Sequence, residues 1–360
     1  MKKIVFYLFT YCSLLVSCSS SDNGNDNDND NDNTDSSGSS QEWLIPISDV
    51  KDGGPGKDGI PSIDNPDFVS AENASFLNNN DLVIGIVKNN EAKAYPHIVM
   101  DWHEIVNDEI DGSFFTLNYC PLTGTAFAWE SKTKNTKTSF GVSGLLYNAN
   151  LIMYDRNTDS NWSQLRLECV NGELINDQPI LYDVVETDWE TWKTLYPETK
   201  VLSTQTGFNR TYGTSPYGDY SVNNNRFIFV PEITNSALPN KDRVYTIIDE
   251  EKAKVYQFSD FNNGKAIRDT FNGKDYLIIG NDKLIYGFKL SEDQANLTFE
   301  HEFNDSEVFF KDNEGNKWSI FGEAIEGTRI GETLSGAKSV ISYWFAIAAF
   351  YPNPEIYSEL

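Results

Sequence analysis

The stretch DWHEIVNDEIDGSFFTLNYCPLTGTAFAW, residues 101–129, gathers side chains that could do chemistry. It holds one of three histidines and one of four cysteines in the chain. His103 beside Glu104 could be a base with its orienting acid, or part of a metal site. Cys120 could be a nucleophile if a base such as His103 activated it. Each has a plainer reading. Neighbours on a strand point to opposite faces, so His103 and Glu104 would share a pocket only from a helix. At a helix start, Asp101 three residues before Glu104 has capping-box spacing. A lone histidine is more often a hydrogen-bonded structural residue, and a lone cysteine more often packed. His97, His103 and His301 show no metal-ligand spacing, and no cofactor is clearly implied.

Further on, FGVSGLLYN offers Ser143, but without the Gly-x-Ser-x-Gly of a nucleophile elbow. Its glycines suit a strand bulge instead. YDRNTDSNW offers Asp155, Arg156, Asp159 and Trp162, either as a ligand-binding loop or as a polar turn with an Asp–Arg pair. GGPGKDGIPSIDNP, residues 53–66, lacks the Gly-Lys-Ser/Thr ending of a phosphate loop and reads as an extended arm over the body.

The elements that must position these residues are short β-prone runs separated by Asn/Gly/Asp turns, with few helical stretches. The expected fold is mostly β, a β-rich α+β protein. One pattern recurs. LVIGIVKNNEAKAYP (Leu82–Pro96) resembles VYTIIDEEKAKVYQF (Val244–Phe258), with Ala92–Tyr95 falling on Ala253–Tyr256 at an offset of 161. YDRNTDSNWSQ resembles FKDNEGNKWSI, placing Trp162 on Trp318, and WETWKTLYPETKVL resembles WFAIAAFYPNPEIY. Two related units from an internal duplication are expected, each ending in a short helix stopped at Tyr-Pro. The expected divisions are an arm at 42–80, unit one at 81–203, a polar aromatic connection at 204–242 and unit two at 243–360. His103, Glu104 and Cys120 have no counterpart in unit two.

The chain opens with Lys2-Lys3, an apolar run too short to span a bilayer, and Leu15-Val16-Ser17-Cys18. This resembles a bacterial lipoprotein signal at 1–17, cleaved before an acylated Cys18. Residues 18–41 are Ser, Asn, Gly and six aspartates with no large apolar residue, and read as an acidic disordered tether. Ser and Asp directly after the lipid cysteine resemble the export signal of Bacteroidetes-type surface lipoproteins. The expected location is the outer membrane, at the cell surface or its periplasmic face, with the membrane as partner through Cys18. A formal charge of -26 disfavours nucleic acid.

The phrases KDGIPSIDNPDFVSA, AYPHIVMDWHEIVND, NYCPLTGTAFAW, FGVSGLLYNANLIMYDRNTDSNWSQ and WETWKTLYPETKVLS together resemble the DUF3179 family, a domain of unknown function. The resemblance covers most of the chain after Lys57 and implies no established reaction. The family usually reads Tyr-Cys-Pro-Leu-Cys-Gly-Thr, and here the second cysteine is Thr123, so a local dithiol is absent. Cys169 stands where the family commonly has a small residue. With Cys12 and Cys18 removed from the fold, this departure suggests a Cys120–Cys169 disulfide. Two functions stand side by side. One is a surface binding module whose exposed Tyr, Trp and Asn contact a glycan or an envelope protein. The other is an enzyme or metal-dependent protein with its site at His103, Glu104 and Cys120.

Overall fold

The structure is a computed structural model and describes residues 42–303 and 306–359. The expected signal at 1–17, the expected lipidation at Cys18 and the expected tether to residue 41 lie outside the described residues. Strand is the dominant regular structure of the described chain, which also has three α-helices: α1 (His97–His103), α2 (Trp189–Leu195) and α3 (Trp344–Phe350). No helix among the described residues is long and apolar enough to cross a membrane.

The first half builds three sheets. Leu82–Lys88 and Glu91–Pro96 make a hairpin through Asn89 and Asn90, both at positive φ, a conformation asparagine tolerates. Val185–Asp188 joins one side of it, and Lys200–Leu202 joins the other in parallel. The second sheet is the meander Ile105–Ile110, Ser113–Cys120, Thr125–Glu130 and Leu181–Tyr182. The third runs Phe140–Tyr147, Asn150–Asp155, Asn161–Ser163 and Glu168–Asn171. Its register shifts between Val142 and Leu145, so Gly141 and Gly144 flank a bulge. The arm contributes Val50–Asp52 and Phe68–Ser70 as edge strands, and its Asp58 N–H donates to Val142 O at 2.8 Å.

The second half has sheets of the same connectivity. Ser339–Tyr343, Arg243–Asp249, Lys252–Gln257 and the parallel Glu355–Ile356 match the first sheet. Lys265–Phe271, Lys274–Gly280, Ile285–Lys289 and Ser335–Gly336 match the second. Phe299–His301, Val308–Asp312, Lys317–Ser319 and Ala324–Glu326 match the third, with a register shift at Trp318 as at Trp162. Residues 204–242 contain neither helix nor strand.

The cores cross between halves. The third sheet's Met153 and Trp162 and the second sheet's Phe127 and Trp129 pack with Val244, Val255 and α3 of the second half. Reciprocally, Phe310, Trp318 and Leu277 of the second half pack with Val83, Val185 and α2 of the first. Helix α3, WFAIAAF, is apolar all round and buried from Trp344 to Ala349, as a helix enclosed on every side must be. Helix α2 is amphipathic, capped by Asp188 accepting from Thr191 N–H at 2.8 Å, and ends before Pro197. Its Trp192 lies on Gly85, where a Cβ would stand 2.1 Å from the ring. Each large side chain buried this way contributes roughly 1.5–3 kcal/mol.

Candidate functional site

Helix α1 begins directly after Pro96 and ends at His103. Asp101 therefore lies within the helix, and the capping-box reading fails: the residue at the N-terminal boundary is Pro96, with no side-chain cap. Glu104 is the residue after the helix, at φ 57, where its N–H still donates to Met100 O at 2.8 Å. This left-handed step separates the two side chains of the His-Glu pair.

His103 is fully buried and both ring nitrogens are occupied. Nδ1 donates to Pro61 O at 2.8 Å, which leaves Nε2 to accept from the Tyr212 hydroxyl at 2.7 Å. Burial lowers its pKa and keeps it neutral. His103 is a strut between the arm and the connection, with no free nitrogen for a metal or a proton transfer. No group of three or more His, Cys, Asp or Glu among the described residues is placed to hold a metal.

Glu104 and Cys120 do share a place. The Glu104 carboxyl is buried and accepts from the Tyr217 hydroxyl at 2.9 Å; burial pushes its pKa up to about 7. Asp101, on the same helix turn, is pushed up to about 6 by burial. Cys120 ends the strand Ser113–Cys120 and opens the tight turn to Thr125, with Gly124 at φ 63. A Cβ on Gly124 would stand 3.1 Å from the Tyr343 ring, and Tyr343 N–H donates to Thr123 O at 2.8 Å. The turn is thus pressed against the second half. Burial, reinforced by the Glu104 carboxylate, raises the Cys120 thiol to about 11. A thiol so raised is a poor nucleophile.

The expected disulfide is absent. Cys120 and Cys169 are both buried and free. Cys120 Sγ faces Ala149 O at 3.7 Å, while Cys169 Sγ faces Asn171 O at 3.4 Å. Each thiol is spent on a separate backbone carbonyl. Thr123, at the family's second cysteine position, joins a buried network instead. Asn150 Nδ2 donates to its hydroxyl at 2.9 Å and to Gln164 Oε1 at 2.7 Å, and Gln164 Nε2 donates to Asn118 Oδ1 at 2.9 Å. A hydroxyl suits this position because it can donate and accept at once.

Sequence reasoning missed the other half of the cluster. Glu186 points its two carboxylate oxygens at His97 Nε2, 3.1 Å away, and at the Arg243 guanidinium. Neither contact has hydrogen-bond geometry. Burial and Arg243 push His97 down to about 3, against the opposing pull of Asp101. The His97 ring lies against Tyr119, centroids 4.4 Å apart. Lys241 is only 6% exposed, and its ammonium has no hydrogen-bond partner. Nζ sits 3.2 Å over the Tyr220 ring, with Phe345, Phe227 and Tyr343 at 4.6, 5.1 and 5.1 Å. Burial pulls its pKa down to about 7, and the four ring faces oppose that by favouring the cation.

The connection 204–242 covers this cluster through three tyrosines. Tyr212 bonds His103, Tyr217 bonds Glu104, and the Tyr220 hydroxyl donates to Leu122 O at 2.9 Å. Those tyrosines, in a segment with no apolar periodicity, were the one signal available in the sequence.

The remaining candidates lie elsewhere and are structural. Asp155 takes N–H groups of Asn157 and Thr158 and the Trp162 indole at 3.2 Å, closing a turn, and Trp162 is core. Arg156 reaches both oxygens of Asp64 at 2.9 Å, and exposed Asp159 pairs with Lys57. Ser143 Oγ donates to Ile152 O at 2.5 Å. No Trp or Tyr is among the exposed large apolar residues described, so the expected aromatic contact surface is not offered by those side chains.

Fold and cluster define a mostly-β protein whose motif-bearing turn is buried at a polar junction of its two halves. Residues 57–354 match the family described as a protein of unknown function, DUF3179, and the chain belongs to that family. No curated protein and no solved structure matches it.

Proposed function

We propose that this chain is a lipid-anchored envelope protein, held in the outer membrane through Cys18, whose β body is a binding module. The lipoprotein-like start and acidic tether support the anchor. The binding site in this reading is the covered cluster around Cys120. One observation carries it: Lys241, at the end of the connection 204–242, holds its ammonium buried without an acceptor, close in the chain to Arg243 and behind a stretch of the same connection that has no secondary structure of its own. An unpaired buried cation is costly unless an anion completes it. Four aromatic rings around it suit the apolar faces of a sugar. The ligand class is therefore an acidic saccharide, such as a uronate-bearing glycan. It enters when the stretch bearing Tyr212 and Tyr217 opens, since that stretch is held to helix α1 and Glu104 through side chains.

The test is thermal unfolding of the full chain in detergent with oligogalacturonate, against a neutral oligosaccharide of equal length. A midpoint raised by the acidic sugar only, and not raised in Lys241→Met, supports the reading. No shift, with unchanged protease cutting in 204–242, overturns it. A second reading, an enzyme, draws on Asp101 and Glu104, whose values near 6 and 7 suit proton transfer at neutral pH. A ligand recovered chemically altered would select it over simple binding. We also attribute the matching sheets of the two halves to an internal duplication, supported by their shared connectivity.

A further inference from the structure

The connection contains FIFV, residues 227–230, four apolar residues in succession where a surface segment needs only alternate ones. Phe227 and Phe229 pack inward on the core, Phe227 edge-on to Phe345 at 5.1 Å. Ile228 and Val230 face outward, 41% and 68% exposed, and Ile233 follows at 47%. Exposed large aliphatics gathered in one segment mark a contact surface.

Where this patch lies says what covers it. Glu232, between Val230 and Ile233, donates its N–H to Asn148 Oδ1 at 3.0 Å. Its carboxylate is 3.7 Å from Lys51 Nζ. Lys51 follows Ile47, which is 69% exposed on the first described turn of the body. The patch thus adjoins the point where the body emerges from residues 18–41. Two ion pairs flank it, Arg226 with Asp219 and Lys51 with Glu232, in a chain of formal charge -26.

We propose that Ile47, Ile228, Val230 and Ile233 form a membrane-docking face that rests in the lipid interface beside the acyl anchor. This rests on the anchored reading above. A tether makes the second contact intramolecular, so a weak apolar contact suffices once the lipid is inserted. The acidic residues beside the patch and in the rest of the chain make an uncharged bilayer the preferred partner over an anionic one. Docking would hold the body flat on the membrane and fix the direction in which 204–242 opens.

The test uses the full acylated chain in phosphatidylcholine vesicles. Single Val230→Cys, Ile47→Cys and Ile330→Cys variants carry an environment-sensitive dye; the native Cys120 and Cys169 are buried and stay unlabelled. Ile330, 68% exposed in a loop of the second half, is the reference. Dyes at 47 and 230 should shift to the blue and be quenched by lipids spin-labelled about 5–10 Å below the headgroups, with the dye at 330 unaffected. Replacing part of the lipid by phosphatidylglycerol should weaken the quenching. A chain that pellets with vesicles yet leaves 47 and 230 as unquenched as 330 overturns the docking face alone. Blue shifts that grow with protein concentration without lipid quenching overturn it in favour of a second copy. A chain that does not pellet overturns the anchor and the face together.

Discussion

The two halves of the body share their fasteners and differ in their titratable groups. In the first, the Tyr95 hydroxyl and Lys93 ammonium meet on Asp108 Oδ2, at 2.5 and 2.9 Å. In the second, Tyr256 and Lys254 meet on Asp269 Oδ2, at 2.8 and 2.6 Å. Trp162 donates to Asp155, and Trp318 donates to Asp312 at 3.0 Å. The difference follows the hairpin. The first half inserts α1, with Asp101 and Glu104 at its end, while the second has only the 3-10 turn Phe258–Phe261. At the turn after Gly280 the second half has Asn281, whose side chain caps Lys283 and Leu284 N–H, where the first has Cys120-Pro-Leu-Thr. Groups that hold sheets together recur; Glu104, Glu186 and the thiols Cys120 and Cys169 belong to the first half. Scaffold and chemistry are separable here.

That contrast can be broken by experiment. Trp162→Ala and Trp318→Ala should each cost about 3–5 kcal/mol by denaturant titration, since both remove a buried ring and one donor of an aspartate that closes a turn. A cost confined to one would end the equivalence. Glu104→Gln sharpens the difference. Folding raises this carboxyl from 4.5 to about 7, so the folded state holds the proton more tightly than the unfolded chain. The stability this lends is complete below 4.5 and lost as pH rises to about 7. Asp101 acts in the same direction, from 3.8 to about 6. Wild type should therefore weaken between pH 4 and 8 by roughly 2–3 kcal/mol more than Glu104→Gln does, read from unfolding free energies across that range. Tyr95→Phe and Tyr256→Phe should each cost ~1–2 kcal/mol, as a buried carboxylate loses one donor and keeps another. The half-exposed Arg156–Asp64 pair should matter least: Arg156→Ala is expected to shift stability by about 0.5 kcal/mol, less in high salt.

What the sequence disclosed follows local chemistry. The hairpins, the Trp turns and the Tyr-Pro helix ends were readable because each depends on a few adjacent residues. Asp101 was misplaced because Pro96, the end of a strand, starts the helix one turn sooner than the acid spacing suggests. Glu104 and Cys120 were found as neighbours, yet His103, the most suggestive of the three, proved to be the strut. Lys241, Arg243, Glu186 and Tyr343 were invisible, because their partners lie in distant segments that only the packing of the two halves brings together. The disulfide was an inference from counting thiols, and packing offered each thiol a nearer carbonyl.

The exchange of helices between cores has a consequence for how the chain reaches its fold. The core around Trp129 and Trp162 is closed by Trp344–Phe350, far along the chain from both tryptophans. A chain lacking that helix holds the first-half strands with one wall of their core missing. Neither half can serve as a template that folds ahead of the other. The contacts that decide the barrier are distant in sequence, and such topologies fold slowly. The body should stay open until both halves are present, then close in one cooperative step. A stop codon shortly before Trp344 would then remove the structure of the first half as thoroughly as that of the second.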